Sequence, residues 1–156
     1  KRQITNNGLL ETTGAIQNVF TEGDGDVVTN NGTITASANN ASAIVVGFNG
    51  GSGIGSTITN NNIIRVTGSN SVGILLVNAS GTAINNRGLI SAEQSATAAI
   101  DGSNNSETLN LLSGSQIIGT IDLDDGTDTV NISGANNSST LTLTDVENIN
   151  LQNNNG

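Results

Sequence analysis

The sequence predicts an all-β chain wound as a parallel solenoid of about six coils. Three observations carry this expectation. A seven-residue phrase returns four times, at 4–10, 28–34, 58–64 and 84–90 (ITNNGLL, VTNNGTI, ITNNNII, INNRGLI), at the uneven but narrow spacing of stacked repeats. Aligned on their first residues, the copies put Leu10, Ile34, Ile64 and Ile90 in one column and Phe20, Ile44, Ile74 and Ile100 in another. The composition has two aromatics, Phe20 and Phe48, and no Cys, Met, Pro, His, Trp or Tyr. A thick globular core leans on aromatic side chains, whereas a narrow solenoid core needs only aliphatic ones from neighbouring repeats.

Each phrase reads as strand, corner, strand. Aliphatic ends bracket Asn and Gly, the residues that enter left-handed backbone conformations most easily. The alternations Ile34/Ala36, Ile64/Val66 and Ile90/Ala92 mark a strand after the corner, and Ile44/Val46 and Ile74/Leu76 mark another further on. Asn39 and Asn40, then Gly68 to Asn70, then Gln94 and Ser95 read as turns between them. Coil length varies mainly after this last strand. The longest insertion, 47–55, is Gly-rich and carries an aromatic. Insertions of this kind bulge from one corner, which makes Phe48 and Asn49 the candidate binding loop. A spacer with Phe48 folded back onto the stack is the plainer alternative.

Asn6, Asn30, Asn60 and Asn86 share one offset, predicting an amide ladder with rungs ~4.8 Å apart. Thr5, Thr29 and Thr59 form a column beside it. An ice-binding face is one reading of that column, opposed by coil lengths that would break a flat lattice. Positions 1–108 thus make solenoid coils of roughly 24–30 residues each, the usual range for such repeats. At Leu109 the period shortens to about 21 residues, marked by Leu109, Val130 and Leu151. Ile121/Leu123 and Leu141/Leu143 recur at nearly the same spacing. Positions 109–156 therefore continue the same solenoid in these shorter coils and stop within an unfinished one. The stack is a rod on the order of 30 Å long.

The net charge is −9, with Lys1, Arg2, Arg65 and Arg87 the only cations. No basic stripe exists to neutralise phosphates, which excludes nucleic acid as an expected partner and disfavours anionic lipid. No apolar run approaches the ~20 residues of a membrane span. The lack of Cys argues against a disulfide scaffold or a thiolate metal site. Disorder is the competing reading of so polar a chain, but the regular aliphatic columns and a charged fraction of 11% oppose it. The chain opens on Lys1 and Arg2 with no signal peptide, as a fragment or processed product would.

The stretches 28–36 (VTNNGTITA) and 84–92 (INNRGLISA) resemble coils of bacterial autotransporter passenger domains and related haemagglutinin-like adhesins, and 109–134 and 141–151 are similar to the later passenger coils of that group. The resemblance implies a right-handed parallel β-helix, exported to the bacterial cell surface as part of a longer polypeptide.

Chemistry is sparse. In the acidic run 122–130 (DLDDGTDTV), the GTDTV half resembles half of the calcium-binding nonapeptide repeat of exported toxins. Such repeats give Ca²⁺ its six to eight oxygens from successive turns. Asp124, Asp125 and Asp128 are accordingly the candidate ligands of a weak Ca²⁺ site, against the alternative of a solvated acidic turn; no other cofactor is expected. A secreted polysaccharide-active β-helix enzyme would need two carboxylates flanking a cleft, but no Trp, Tyr or His is available to it. No catalytic residues are expected. The function expected is a non-catalytic extracellular structural or adhesive module, displaying loops to host-surface or matrix glycans and proteins, or stacking axially on copies of itself or on adjoining coils of a longer chain. Uncapped solenoid ends, with their unpaired backbone groups, favour such stacking.

Overall fold

The computed structural model describes residues 1–14, 17–48, 50–93, 96–134 and 140–152. Within them the chain forms 18 strands and no helix, so none is present that could cross a membrane. The strands belong to three sheets, and every pairing is parallel. The chain visits the sheets in rotation, which makes it a parallel β-helix. Gln3–Asn6, Val27–Asn30, Thr57–Asn60, Ala83–Asn86, Thr108–Leu111, Thr129–Ser133 and Asn148–Gln152 stack as the first sheet. Leu9–Thr12, Thr33–Ala36, Ile63–Val66, Leu89–Ala92 and Gln116–Ile118 make the second. The third contains Val19–Thr21, Ser42–Val46, Val72–Leu76, Ala98–Asp101, Thr120–Asp122 and Thr142–Thr144.

The predicted columns set the register. Ile4 pairs with Val28, Val28 with Ile58, Ile58 with Ile84 and Ile84 with Leu109. Leu10, Ile34, Ile64 and Ile90 stack likewise, and Ile117 extends them. Ile44, Ile74, Ile100 and Ile121 fill the third sheet's inward column, all fully buried. Each fully buried Ile contributes about 1.5–3 kcal/mol relative to exposure, so the aliphatic columns hold the rod together without aromatics. Small residues let the second and third sheets approach. At Ala43, Gly73 and Ala99 the third ladder skips a partner, and a Cβ on Gly73 would lie 2.4 Å from the Ala99 carbonyl oxygen and 3.1 Å from Ile90 Cγ2.

Three expectations require correction. Val19, not Phe20, occupies the inward column and pairs with Ile44. Val19 is buried and Phe20 points outward, because a benzyl side chain is too large for a channel sized for aliphatics. Above Leu109 the register is not uniform. Val130 pairs with Ile149 and Ile121 with Leu143, so the first sheet closes this coil in fewer residues than the third. Leu151 therefore stacks on Ile132 and not on Val130. The corner glycines are also not left-handed. Positive φ falls instead on Asn40, Asn70 and Asn78, on Asp124 and Asp145, and on glycines such as Gly25, Gly55 and Gly81 outside the phrase. Gly32 and Gly88 are required by close stacking: a Cβ would lie 2.1 Å from the Gly8 carbonyl oxygen or 1.9 Å from that of Asn62. Where Asn62 takes this position, the Ile63 N–H bond to the Gly32 carbonyl stretches to 3.2 Å, against 2.8 and 2.7 Å at Thr33 and Leu89.

The amide ladder forms as expected. Nδ2 of Asn6, Asn30 and Asn60 each donates to Oδ1 of the Asn in the next coil, always at 2.8 Å. Further up, Leu111, Ile132 and Leu151 take over the column. A second ladder, not anticipated, runs on the outer face: Asn110 donates to Asn85, Asn131 to Asn110 and Asn150 to Asn131, at 2.8–2.9 Å. It continues the column of Thr5, Thr29 and Thr59, whose register is unbroken through seven strands. Differences in coil length are absorbed in the turns and do not interrupt this sheet.

Candidate functional site

A column rich in acids lies in the connections from the third sheet back to the first. It consists of the residue just before each first-sheet strand: Arg2, Asp26, Ser56, Thr82, Glu107, Asp128 and Glu147. Where this residue is Ser or Thr, its N–H bonds to a nearby turn carbonyl, Ser56 to Gly53 and Thr82 to Ala79, both at 3.1 Å. Where it is an acid with a free counterpart below it, toward the N-terminus, the carboxylate caps that counterpart's N–H. Asp26 accepts from Arg2 at 2.5 Å, Asp128 Oδ1 from Glu107 at 2.6 Å and Glu147 Oε2 from Asp128 at 2.7 Å. Charge-assisted hydrogen bonds of this kind are short and strong, and they close a turn that would otherwise leave a donor orphaned.

The three upper acids are crowded. Glu107 is 3% exposed and Asp128 is fully buried. Glu107 accepts from Ser103 Oγ at 2.6 Å and from the Ser103 N–H at 3.3 Å. Asp128 Oδ2 has no hydrogen-bond partner among the described residues. Burial pushes the Glu107 carboxyl up to about 7; the Ser103 hydrogen bonds oppose this, and the charges of Asp128 and Asp124 add to it. Asp128 is also raised, first by burial and then by Glu147 and Asp124, with its hydrogen bonds to Glu107 pulling the other way. Beside this column, Asp101 is raised by burial and by the charges of Asp124 and Asp122, and Asp124 by burial and by Asp122, Asp125 and Asp145.

The candidate Ca²⁺ ligands are not brought to one point. Asp125 is exposed, Asp124 is half-buried in a left-handed conformation (φ 59°), and Asp128 turns inward onto the Glu107 N–H. Among the described residues no group of three His, Cys, Asp or Glu is placed to hold a metal ion. What the turns do form is a groove of about 320 Å³, lined by Leu75, Val77, Asn78, Asp101, Asn104 and Asp124 among others. Sequence reasoning misses Asp101. Its signal is its place in the outward column Val45, Leu75, Asp101, Asp122, where the third sheet's outer face changes from hydrocarbon to carboxylate.

Of the candidate binding loop, Asn49 lies outside the described residues. Phe48 packs edge-on against Phe20, with ring centroids 6.0 Å apart, and Val45, which pairs with Phe20 in the third sheet, is fully buried. The insertion is tied down on both sides. Gly47 N–H donates to Thr21 and Gly55 N–H to Ser80, while Asp24 accepts from Ser52 Oγ and from the Ile54 N–H. The two aromatics thus clamp the loop onto the neighbouring coil.

Fold and site together define the class: a parallel β-solenoid with amide ladders on its faces and most of its acids gathered in one set of turns. Comparison with protein-family models, with curated proteins and with solved structures finds no match.

Proposed function

We propose that this chain is a non-catalytic structural or adhesive module of a bacterial surface protein, working outside the cell as a rigid rod that displays its turns and joins other β-coils end to end. The observation that carries this reading is the state of the terminal coils. At the upper end Ile149 and Leu151, in line with core columns, are 53% and 76% exposed. At the lower end Ile4 and Leu10, which head core columns, are only half-buried. The terminal strand of a β-stack generally offers backbone donors and acceptors to a further strand, and beside this hydrocarbon it makes a surface that another β-coil covers well. On this reading another β-coil, such as that of a second copy, covers these ends.

Sedimentation velocity over a wide concentration range, with electron microscopy of the same samples, tests the reading. Elongated end-to-end oligomers are expected, suppressed by Leu151→Asp. A strict monomer whose behaviour Leu151→Asp leaves unchanged would sink it. The alternative, a polysaccharide-active enzyme, draws on the groove that holds Asp101 and Asp124. Release of reducing ends from acidic or neutral glycans, lost in Asp101→Asn, would favour it.

A further inference from the structure

We propose that the groove lined by Leu75, Val77, Asn78, Asp101, Asn104 and Asp124 binds a primary alkylammonium group, of which a lysine side chain is the simplest example. The geometry of the groove carries the argument. Its volume of about 320 Å³ is at the small end of the ~300–1,000 Å³ usual for ligand sites. Its lining sets hydrocarbon, from Leu75 and Val77, beside acids from two successive coils, Asp101, which pairs with Leu75 in the third sheet, and Asp124. Asn78 and Asn104 add exposed amides at the rim. An ammonium needs three acceptors, which two carboxylates and one amide oxygen supply, while its methylenes lie against the hydrocarbon as amphipathic side chains do.

A divalent metal fits less well. Calcium requires six to eight oxygens, no three acids are grouped for a metal among the described residues, and a hydrated ion would leave the leucine and valine uncovered. Nor does the chain's own positive charge answer the groove. The two ion pairs among the described residues join the Lys1 amino terminus to Asp26 and Arg65 to Glu93, both elsewhere. Burial and neighbouring acids raise both Asp101 and Asp124, so each carboxylate gains when a cation enters. The inference concerns the isolated chain and stands whether or not the rod is a surface module.

The test is an amide-resolved NMR titration with Nα-acetyl-lysine methylamide, in about 0.15 M salt, where charges are screened beyond ~8 Å. Saturable shifts are expected around residues 75–78, 101–104 and 124. Asp101→Asn and Asp124→Asn should each weaken binding about tenfold, as loss of one charged hydrogen bond does. Both variants relieve like-charge repulsion, and their unperturbed spectra verify the fold. Asp125→Asn, exposed and outside the groove, should bind as the parent does. The proposal is overturned if no saturation occurs up to the probe's solubility, or if the Nε-acetylated probe shifts the same residues equally. Equal weakening by Asp125→Asn would reduce the effect to a diffuse acidic field and also overturn it. Tighter saturable binding of calcium chloride at the same residues would assign the groove to a metal instead.

Discussion

Replacing Glu107 by glutamine should make the solenoid more stable at pH 8 and leave it nearly unchanged below about pH 4, under the unfolded value of its carboxyl. In the folded chain Glu107 is 3% exposed and its carboxyl is raised to about 7 from an ordinary value of 4.5. The folded state therefore binds this proton more tightly than the unfolded chain. Its contribution is fully present below the unfolded value near 4.5 and is lost as pH rises through 7. The full span of that shift corresponds to on the order of 3 kcal/mol at most. For a chain of this size that is a fall in Tm of roughly 6–12 °C, most of it between the unfolded value of 4.5 and the folded value of about 7. The groups facing Glu107 deepen the effect: Asp128 and Asp124 are acids, and no cation is within ion-pair distance among the described residues. In Glu107→Gln the new amide oxygen retains the short bond from Ser103 Oγ, while the long one from the Ser103 N–H is lost and trims the gain. Thermal melts by circular dichroism at half-unit pH steps measure both curves. The reasoning fails if the parent's Tm is flat or rises between about pH 5 and 7, where the linkage slope is steepest, or if Glu107→Gln keeps the parent's slope there.

Three other substitutions separate the forces in the fold, each read as a change in unfolding free energy from denaturant melts. Gly32→Ala should cost about 2–4 kcal/mol through backbone collision with Gly8, whereas Gly8→Ala, with nothing within 4 Å of the new Cβ, should be close to neutral. Asn60→Ala removes a rung that accepts from Asn30 and donates to Asn86, Asn62 and Leu89, and should cost about 2–3 kcal/mol because buried partners are left unpaired. Phe48→Ala should cost only about 1 kcal/mol globally, yet speed proteolytic cleavage within 47–55; unchanged cleavage would mean the aromatic contact does not hold the loop.

What the sequence discloses is the part of the structure governed by like stacking on like. The columns headed by Ile4 and Leu10 are legible because an aliphatic residue gains most from burial above another aliphatic residue, in every coil. The same logic fails at Phe20, where counting offsets takes an apolar residue for an inward one. Alternation in Val19–Thr21 is too short to fix the face, and the width of the channel decides it. The corner glycines show a different limit. Gly in a turn reads as a left-handed residue, but here the nearest atom of the coil below, and not φ, forbids a side chain. The acid column is hidden for a third reason. Asp26, Glu107, Asp128 and Glu147 follow no single period, because they are aligned by the strands after them and not by their own spacing. Their visible signature is only that each immediately precedes a first-sheet strand.

That arrangement bears on where such a chain can hold chemistry at all. In the strands every inward position is committed to a column, and every change there is felt by two neighbouring coils. In the turns from the third sheet to the first only the residue before each first-sheet strand is committed in this way, and the rest of each turn is where coil length varies and where acids are tolerated. Eight of the 13 acids lie from Asp101 to Glu147, with no Lys or Arg after Arg87. A purely structural rod would have reason to spread that charge, since mutual repulsion helps raise the Asp101, Asp124, Glu107 and Asp128 carboxyls together. Neutralising them in pairs separates two origins. If the crowding serves the turns alone, Asp101→Asn with Asp124→Asn should leave axial association and thermal stability no worse, since neither side chain caps the N–H of a neighbouring coil. If it serves an external cation, the same pair should abolish lysine binding while the backbone caps at Asp128 and Glu147 hold the coils in place.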